Sequence, residues 1–266
     1  MDISLFTSLA SLPTPVAALL AIGVPVLIAI GLGSAMFAVF THQEFTHNAF
    51  MASVKFSFVV EIYAAVAALT LVGAWNIYEG TRETLQKEAG ALYMLALSVD
   101  AYGSPSQDGL RSDMRAAIRT YAGDVVSVDW PSLQAGVPST ASDPSFQRLA
   151  RVFLDAEPTT AAQQALAQNI AQWVAQAAEA RIGRLSVASR TLSTLLWFLV
   201  VIVSVAVLVF QWFFGGPNHG LHYAMGAVTA VIVGCVLLVA VKLAHPFVGV
   251  PPLLSARPFL ELMQVQ

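Results

Sequence analysis

Two stretches of this chain contain no Asp, Glu, Lys or Arg: residues 3–43, a run of 41, and residues 191–241, a run of 51. About 20 consecutive apolar residues suffice to cross the hydrocarbon core of a bilayer. The composition agrees, since 57% of the 266 residues are apolar and only 11% are charged, against about 25% charged in a soluble domain. That much apolar surface exceeds what one water-soluble globule can hide, and the chain is read as an integral membrane protein.

Four segments are long enough to cross: 15–40, 54–78, 192–214 and 221–245. Four crossings put both termini on one side, together with the long polar connection 79–191. Lys and Arg near the crossings fix the side. Arg82, Lys87, Arg181, Arg184, Arg190, Lys242 and Arg257 lie on the terminal side, and Lys55 alone lies opposite. The positive-inside rule therefore predicts cytoplasmic termini and a cytoplasmic central domain in a bacterial inner membrane protein. Trp75, Tyr78, Trp197, Trp212 and Tyr223 are expected to act as interfacial anchors. The chain divides into 1–78 (crossings 1 and 2 with a short outer loop), 79–191 (cytoplasmic), 192–245 (crossings 3 and 4) and a cytoplasmic tail, 246–266.

The central segment carries 10 of the 13 basic and 12 of the 16 acidic residues, and its apolar positions recur at helical spacing. Leu85, Glu88/Ala89, Leu92, Leu95/Ala96 and Val99 continue the second crossing into water. Met114, Ile118, Tyr121 and Val125 mark a helix over 111–128, with Trp130-Pro131 as its stop. A polar loop, 136–144, precedes a short helix over 145–154. Pro158 is placed in the first turn of the next helix, whose stripe of Leu166, Ile170, Trp173/Val174, Ala177 and Leu185 leads into the third crossing. The fold class is all-α, with four membrane helices and a helical cytoplasmic domain between the second and third.

Glu61 is the one acid well inside a crossing, about 9 Å from its outer end at 1.5 Å per residue. Such a carboxylate is costly, and either faces a cavity or ion path or is hydrogen-bonded, even protonated, at a helix contact. Ser57, Glu61 and Asn76 share a helical face that is polar at both ends, with Ala64/Ala65, Ala68 and Val72 between. Phe58, Ile62, Ala65 and Val72 are the candidates for an apolar neck. His42, His47, His219 and His222 fall in the two expected outer loops, where imidazoles bind metal or sense pH; interfacial hydrogen bonding is the plainer reading. Gly226, Ala230 and Gly234 form a row of small residues that permits close helix approach, and Pro25 is expected to bend the first crossing. Cys235 offers no intramolecular disulfide. No phosphate loop, dinucleotide loop, metalloprotease or nucleophile-elbow motif occurs, so neither an enzyme nor a bound cofactor is expected. The net charge of −3 and the lack of a basic run leave nothing for a nucleic-acid partner.

His47-Asn48-Ala49-Phe50, Glu61-Ile62-Tyr63-Ala64-Ala65, Trp75-Asn76-Ile77-Tyr78, Lys87-Glu88-Ala89, Asp129-Trp130-Pro131, Arg181-Ile182-Gly183-Arg184-Leu185 and His245-Pro246-Phe247-Val248-Gly249 follow one another in an order that resembles the bacterial bestrophin-like domain of unknown function. The resemblance implies a four-span helical subunit similar to bestrophins, which assemble as pentameric anion channels with the second span lining a narrow apolar neck. It gives Pro246, Phe247 and Gly249 structural roles; Arg181 and Arg184, just before the third crossing, are expected to be structural as well, pairing with Glu83 or Glu88 on the facing helix or with lipid phosphate. Val248 separates Pro246-Phe247 from Gly249 and no acidic cluster follows, so the calcium clasp of bestrophins is not implied; Ala244-His245 replaces the acid-Arg pair common in the family. The functional expectation is an oligomeric channel for small anions. The alternatives are a non-catalytic accessory or scaffold subunit docking into a larger membrane complex, and a cytoplasmic adaptor.

Overall fold

The computed structural model describes residues 4–39, 42–137, 139, 141–187, 192–213 and 218–264. Ten α-helices are present among them: α1 Ser4–Ser11, α2 Thr14–Val39, α3 His42–Ser98, α4 Asp108–Asp124, α5 Trp130–Gln134, α6 Asp143–Leu154, α7 Ala161–Val187, α8 Thr194–Phe210, α9 His219–Ala244 and α10 Arg257–Met263. Pairing of β type is confined, in the same residues, to a bridge between Pro13 and Val250. The chain divides into one unit of 1–78, 191–245 and 249–251, and a second of 79–190, 246–248 and 252–266.

The first unit contains the apolar helices. Three are long and apolar enough to cross a membrane: α2, the stretch Ala49–Tyr102 made of α3 and the 3-10 turn that follows it, and α9. The fourth apolar helix, α8, has 17 residues, because Ser193 is extended (φ −49°, ψ 133°) and caps it at one end while the chain turns at Gln211 at the other. Helices α2 and α9 meet through small residues. A Cβ on Gly234 would stand 2.5 Å from the Ala21 carbonyl oxygen, and Ala29 and Ala230 are fully buried. Gly33 and Gly226 leave room for the Trp212 indole, which a Cβ would meet at 2.5 and 2.8 Å. Trp212 and Trp197 are thus core residues rather than interfacial anchors; Trp197 is buried and stacks on Phe6 at 4.2 Å. Lys242 donates from Nζ to the carbonyls of Ala10 (2.9 Å) and Leu12 (3.1 Å), where its charge complements the C-terminal end of α1.

Helix α3 begins at His42, so the outer loop expected over 41–53 is helical from there on; no Gly or Pro interrupts those residues. It then runs unbroken to Ser98, as the apolar stripe past Tyr78 predicts.

The second unit is a helical cluster around Leu92, Leu95, Met114, Ile118, Leu149 and Ile170, all buried. Four boundaries differ from expectation. Trp130-Pro131 does not stop the helix: α4 passes into a π-helical turn at Val125–Asp129 and then into α5, with Pro131 in its first turn, where a missing N–H costs nothing. Pro158 precedes the next helix instead of entering it. Helix α7 starts at Ala161 with Thr160 Oγ1 accepting from the Gln163 N–H and Gln163 Oε1 accepting from the Thr159 N–H, an N-terminal cap of Thr-x-x-Gln type whose return bond falls one residue before the N-cap and which outranks the proline. Finally, α7 ends at Val187, and the non-helical Leu192-Ser193 separates it from α8. Helix α6 begins two residues earlier than expected because Pro144 fits its first turn.

Candidate functional site

Helix α3 buries one face in the first unit, through Tyr63, Ala67, Thr70 and Ala74, and leaves the opposite one open. Ser57, Phe58, Glu61, Ile62, Ala65, Val72 and Asn76 are all on exposed positions. Phe58 is 65% and Val72 57% exposed, far from the burial of a core side chain. Among the described residues, no other part of the chain covers this face. Ser57 turns its hydroxyl back to the Ser53 carbonyl at 3.2 Å. Glu61 makes no hydrogen bond or ion pair among the described residues, although it sits within a helix apolar enough to cross a bilayer. A carboxylate at that depth needs a polar partner or water, and the described residues supply no such partner.

No group of three or more His, Cys, Asp or Glu that could hold a metal ion occurs among the described residues. His219 and His222 pack against Phe37, with ring centroids at 4.5 and 5.8 Å, and His222 also meets Trp212 at 4.9 Å. The side chains of His42 and His47 lie outside the described residues.

In the second unit the sequence holds a site that periodicity alone does not reveal. Glu88 occupies the apolar stripe of α3, an odd place for a charge, and is fully buried. It receives Arg184 of α7 through two bonds, Nε to Oε2 at 2.8 Å and Nη2 to Oε1 at 3.2 Å. Arg184 Nη2 also reaches Asp129 Oδ2 at 3.0 Å, and Ser142 donates to the same oxygen at 2.6 Å. Tyr121 of α4 donates to Glu88. Arg181, one turn before Arg184, donates to Ser142 Oγ at 2.9 Å and pairs with Asp143 at the start of α6. Phe146 and Phe259 lie against the faces of the two guanidinium groups, 5.6 and 5.7 Å from ring centroid to Cζ. Of the partners expected for these arginines, Glu88 is present, whereas Glu83 pairs with Lys87 at the surface at 2.9 Å. Asp129, Ser142 and Asp143 come from segments remote in sequence, which single-helix spacing does not connect.

Electrostatics keep Tyr121 and Arg184 protonated. Burial first, and then the Glu88 charge, push the Tyr121 hydroxyl well above its ordinary range, so it remains a donor. Burial by itself would draw Arg184 down, but Glu88, with Tyr121 and Asp129, outweighs it and raises the guanidinium above its usual value. Beside the cluster, Trp130 meets Phe247 edge-on at 5.2 Å and Phe259 at 6.5 Å. The Pro246 carbonyl accepts from the amides of Leu253 (3.1 Å) and Leu254 (3.2 Å). Gly249 has φ +111°, which side chains rarely adopt, and a Cβ there would stand 2.8 Å from the Ala10 carbonyl oxygen. An open groove of about 850 Å³ runs between α3 and α7 past Lys87, Met94, Trp173, Glu179 and Ile182.

A family model described as the Bestrophin-like domain matches residues 21–251. The chain belongs to the Bestrophin-like family. It shares its fold with a bacterial bestrophin homologue from Klebsiella pneumoniae carrying a point mutation, at a TM-score of 0.63 and 11% identity, over 93% of this chain and 99% of that one. A crystal structure of a membrane protein agrees as well, with a TM-score of 0.64 at 10% identity over 93% and 98% of the two chains. A comparison with curated proteins gives no match. The described residues share the all-helical architecture of these neighbours, with several apolar helices.

Proposed function

We propose that this chain is one subunit of a homo-oligomeric channel for small anions, pentameric as in the bestrophins it resembles. The observation that carries the reading is the open face of α3. A lone acid, Glu61, stands there without a partner among the described residues, between exposed apolar positions and the polar ends Ser57 and Asn76. Repeated around an axis, Phe58, Ile62, Ala65 and Val72 form an apolar constriction that gates by dewetting, with polar groups at its mouths. α2, α3, α8 and α9 are the four crossings in this account; α8, at 17 residues, relies on its non-helical flanks to complete the span. The second unit and both termini face the cytoplasm of a bacterial inner membrane, on the Lys/Arg bias.

The alternative, an accessory subunit of a larger complex, uses the same open face to contact unrelated subunits. Purification in mild detergent followed by native mass measurement separates the two: a closed ring of one subunit supports the channel, and co-purifying foreign subunits support the accessory role. Liposome flux then tests the face itself. Glu61→Gln preserves size and hydrogen bonding and is expected to retain anion flux, whereas Glu61→Leu is expected to disrupt assembly or flux. Unchanged assembly and flux in Glu61→Leu would remove Glu61 from the site.

A further inference from the structure

The π-helical turn Val125–Asp129 lies between α4 and α5, and the buried charge cluster depends on it. Carrying the α-helical rotation of 100° per residue on from Tyr121 would put Asp129 about 80° away, Leu133 about 120° away and Trp130 about 180° away, on the opposite side of the helix. A π turn holds one extra residue, which rotates everything beyond it back by about 100°. Asp129 and Leu133 then fall nearly into line with Tyr121, and Trp130 turns inward. All four are buried: Tyr121 and Asp129 fully, Leu133 to 1% and Trp130 to 6% exposure. Two contacts pin the turn in this register. Asp129 is held by Arg184 and Ser142, and Trp130 is held by Phe247 and Phe259. Phe247 follows the last residue of α9 by three positions.

We propose that Val125–Asp129 is a one-residue register switch. In the π register Asp129 is docked on Arg184 and Trp130 on Phe247. When the turn relaxes to α geometry, the extra residue passes to the end of α5, where Gly136 has φ +72°, and both side chains swing off their partners. The switch thereby joins the state of the charge cluster to the segment that directly follows a membrane helix. π turns are rare, occur mostly as single-turn bulges inside α-helices and are frequent at functional sites.

Amide hydrogen exchange on the detergent-solubilised full chain tests this without reference to conduction, so its outcome is independent of the channel reading. The amides of 125–134 are expected to exchange ~10-fold or more faster than those of 111–122 in α4, as a separately opening unit does. Ser142→Ala, which removes one of the bonds on Asp129, is expected to widen that gap, and Asp129→Asn to widen it further. Deletion of Val128, an exposed residue of the turn, leaves a regular α-helix that still presents Asp129 and Trp130 inward. That deletion is expected to preserve a monodisperse, folded protein and close the gap, whereas deletion of Ala116 within α4 is expected to abolish folding. Equal exchange of 125–134 and α4 in the wild type, or a Val128 deletion that unfolds the protein as the Ala116 deletion does, would overturn the proposal.

Discussion

Arg184 carries its charge into a site with no exposure at all, and its two acids are as deeply buried as it is. Removing the cation strands both. Arg184→Met is expected to lower stability by about 3–5 kcal/mol, the usual cost of breaking a buried pair on one side. Glu88→Gln keeps an acceptor for Tyr121 and leaves Arg184 on Asp129, so about 1–3 kcal/mol is expected. Thermal or denaturant unfolding in detergent checks the order; a larger loss in Glu88→Gln would show that Glu88, not Arg184, is the hub. The Tyr121 hydroxyl has a second consequence. Its folded-state pKa lies above the unfolded value of about 10, so the stability it contributes is complete below pH 10 and is lost as pH rises past that value. Tyr121→Phe is expected to be less stable at pH 8 but to lose less on going to pH 11, measured as the melting temperature by circular dichroism. Equal slopes would place the alkaline sensitivity elsewhere. Of this cluster the sequence alone discloses two hints: a charge at position 88 within an apolar stripe, and Asp129-Trp130-Pro131 among the stretches that resemble the family. The convergence of α3, α4, α6 and α7 on one guanidinium is a tertiary fact, and periodicity within one helix carries no trace of it.

At the scale of elements, helix existence was legible and helix ends were not. The charge-free runs and the 3–4 spacing locate α2, α3, α4, α7 and α9, since each buries a continuous apolar face. Ends depend on local chemistry that competes with the pattern: Thr160-x-x-Gln163 starts α7 where Pro158 pointed earlier, and a π turn carries the helix through Trp130-Pro131. Small residues gave a truer signal. The row Gly226, Ala230 and Gly234 does bring backbones together, and Gly234 is its tightest point, with room for no further atom against Ala21 and Ile22. Gly234→Val is expected to destabilise the membrane unit by about 1–3 kcal/mol through overpacking. Gly23→Ala, at an open position on α2, is expected to change little. Detergent melting curves that rank the two variants equally would contradict the close α2 to α9 contact.

For the whole molecule the account joins a family assignment to one uncovered helix face. The topology it needs, with both termini and residues 79–190 cytoplasmic, rests on seven basic residues against one. Single cysteines placed at Ser106 and Ser139 of a Cys235→Ala chain are expected to resist membrane-impermeant thiol reagents in intact cells, and one at Asn218 to react. The reverse pattern would turn the molecule over. The central claim is that copies of the chain enclose a path for small anions along the α3 face. Its most direct measurement is the reversal potential of purified protein in a planar bilayer under a potassium chloride gradient. The account predicts a current that reverses near the chloride equilibrium potential and that changes with substitutions at Phe58 or Ile62; reversal at the potassium potential, or no current above the empty bilayer, would contradict it.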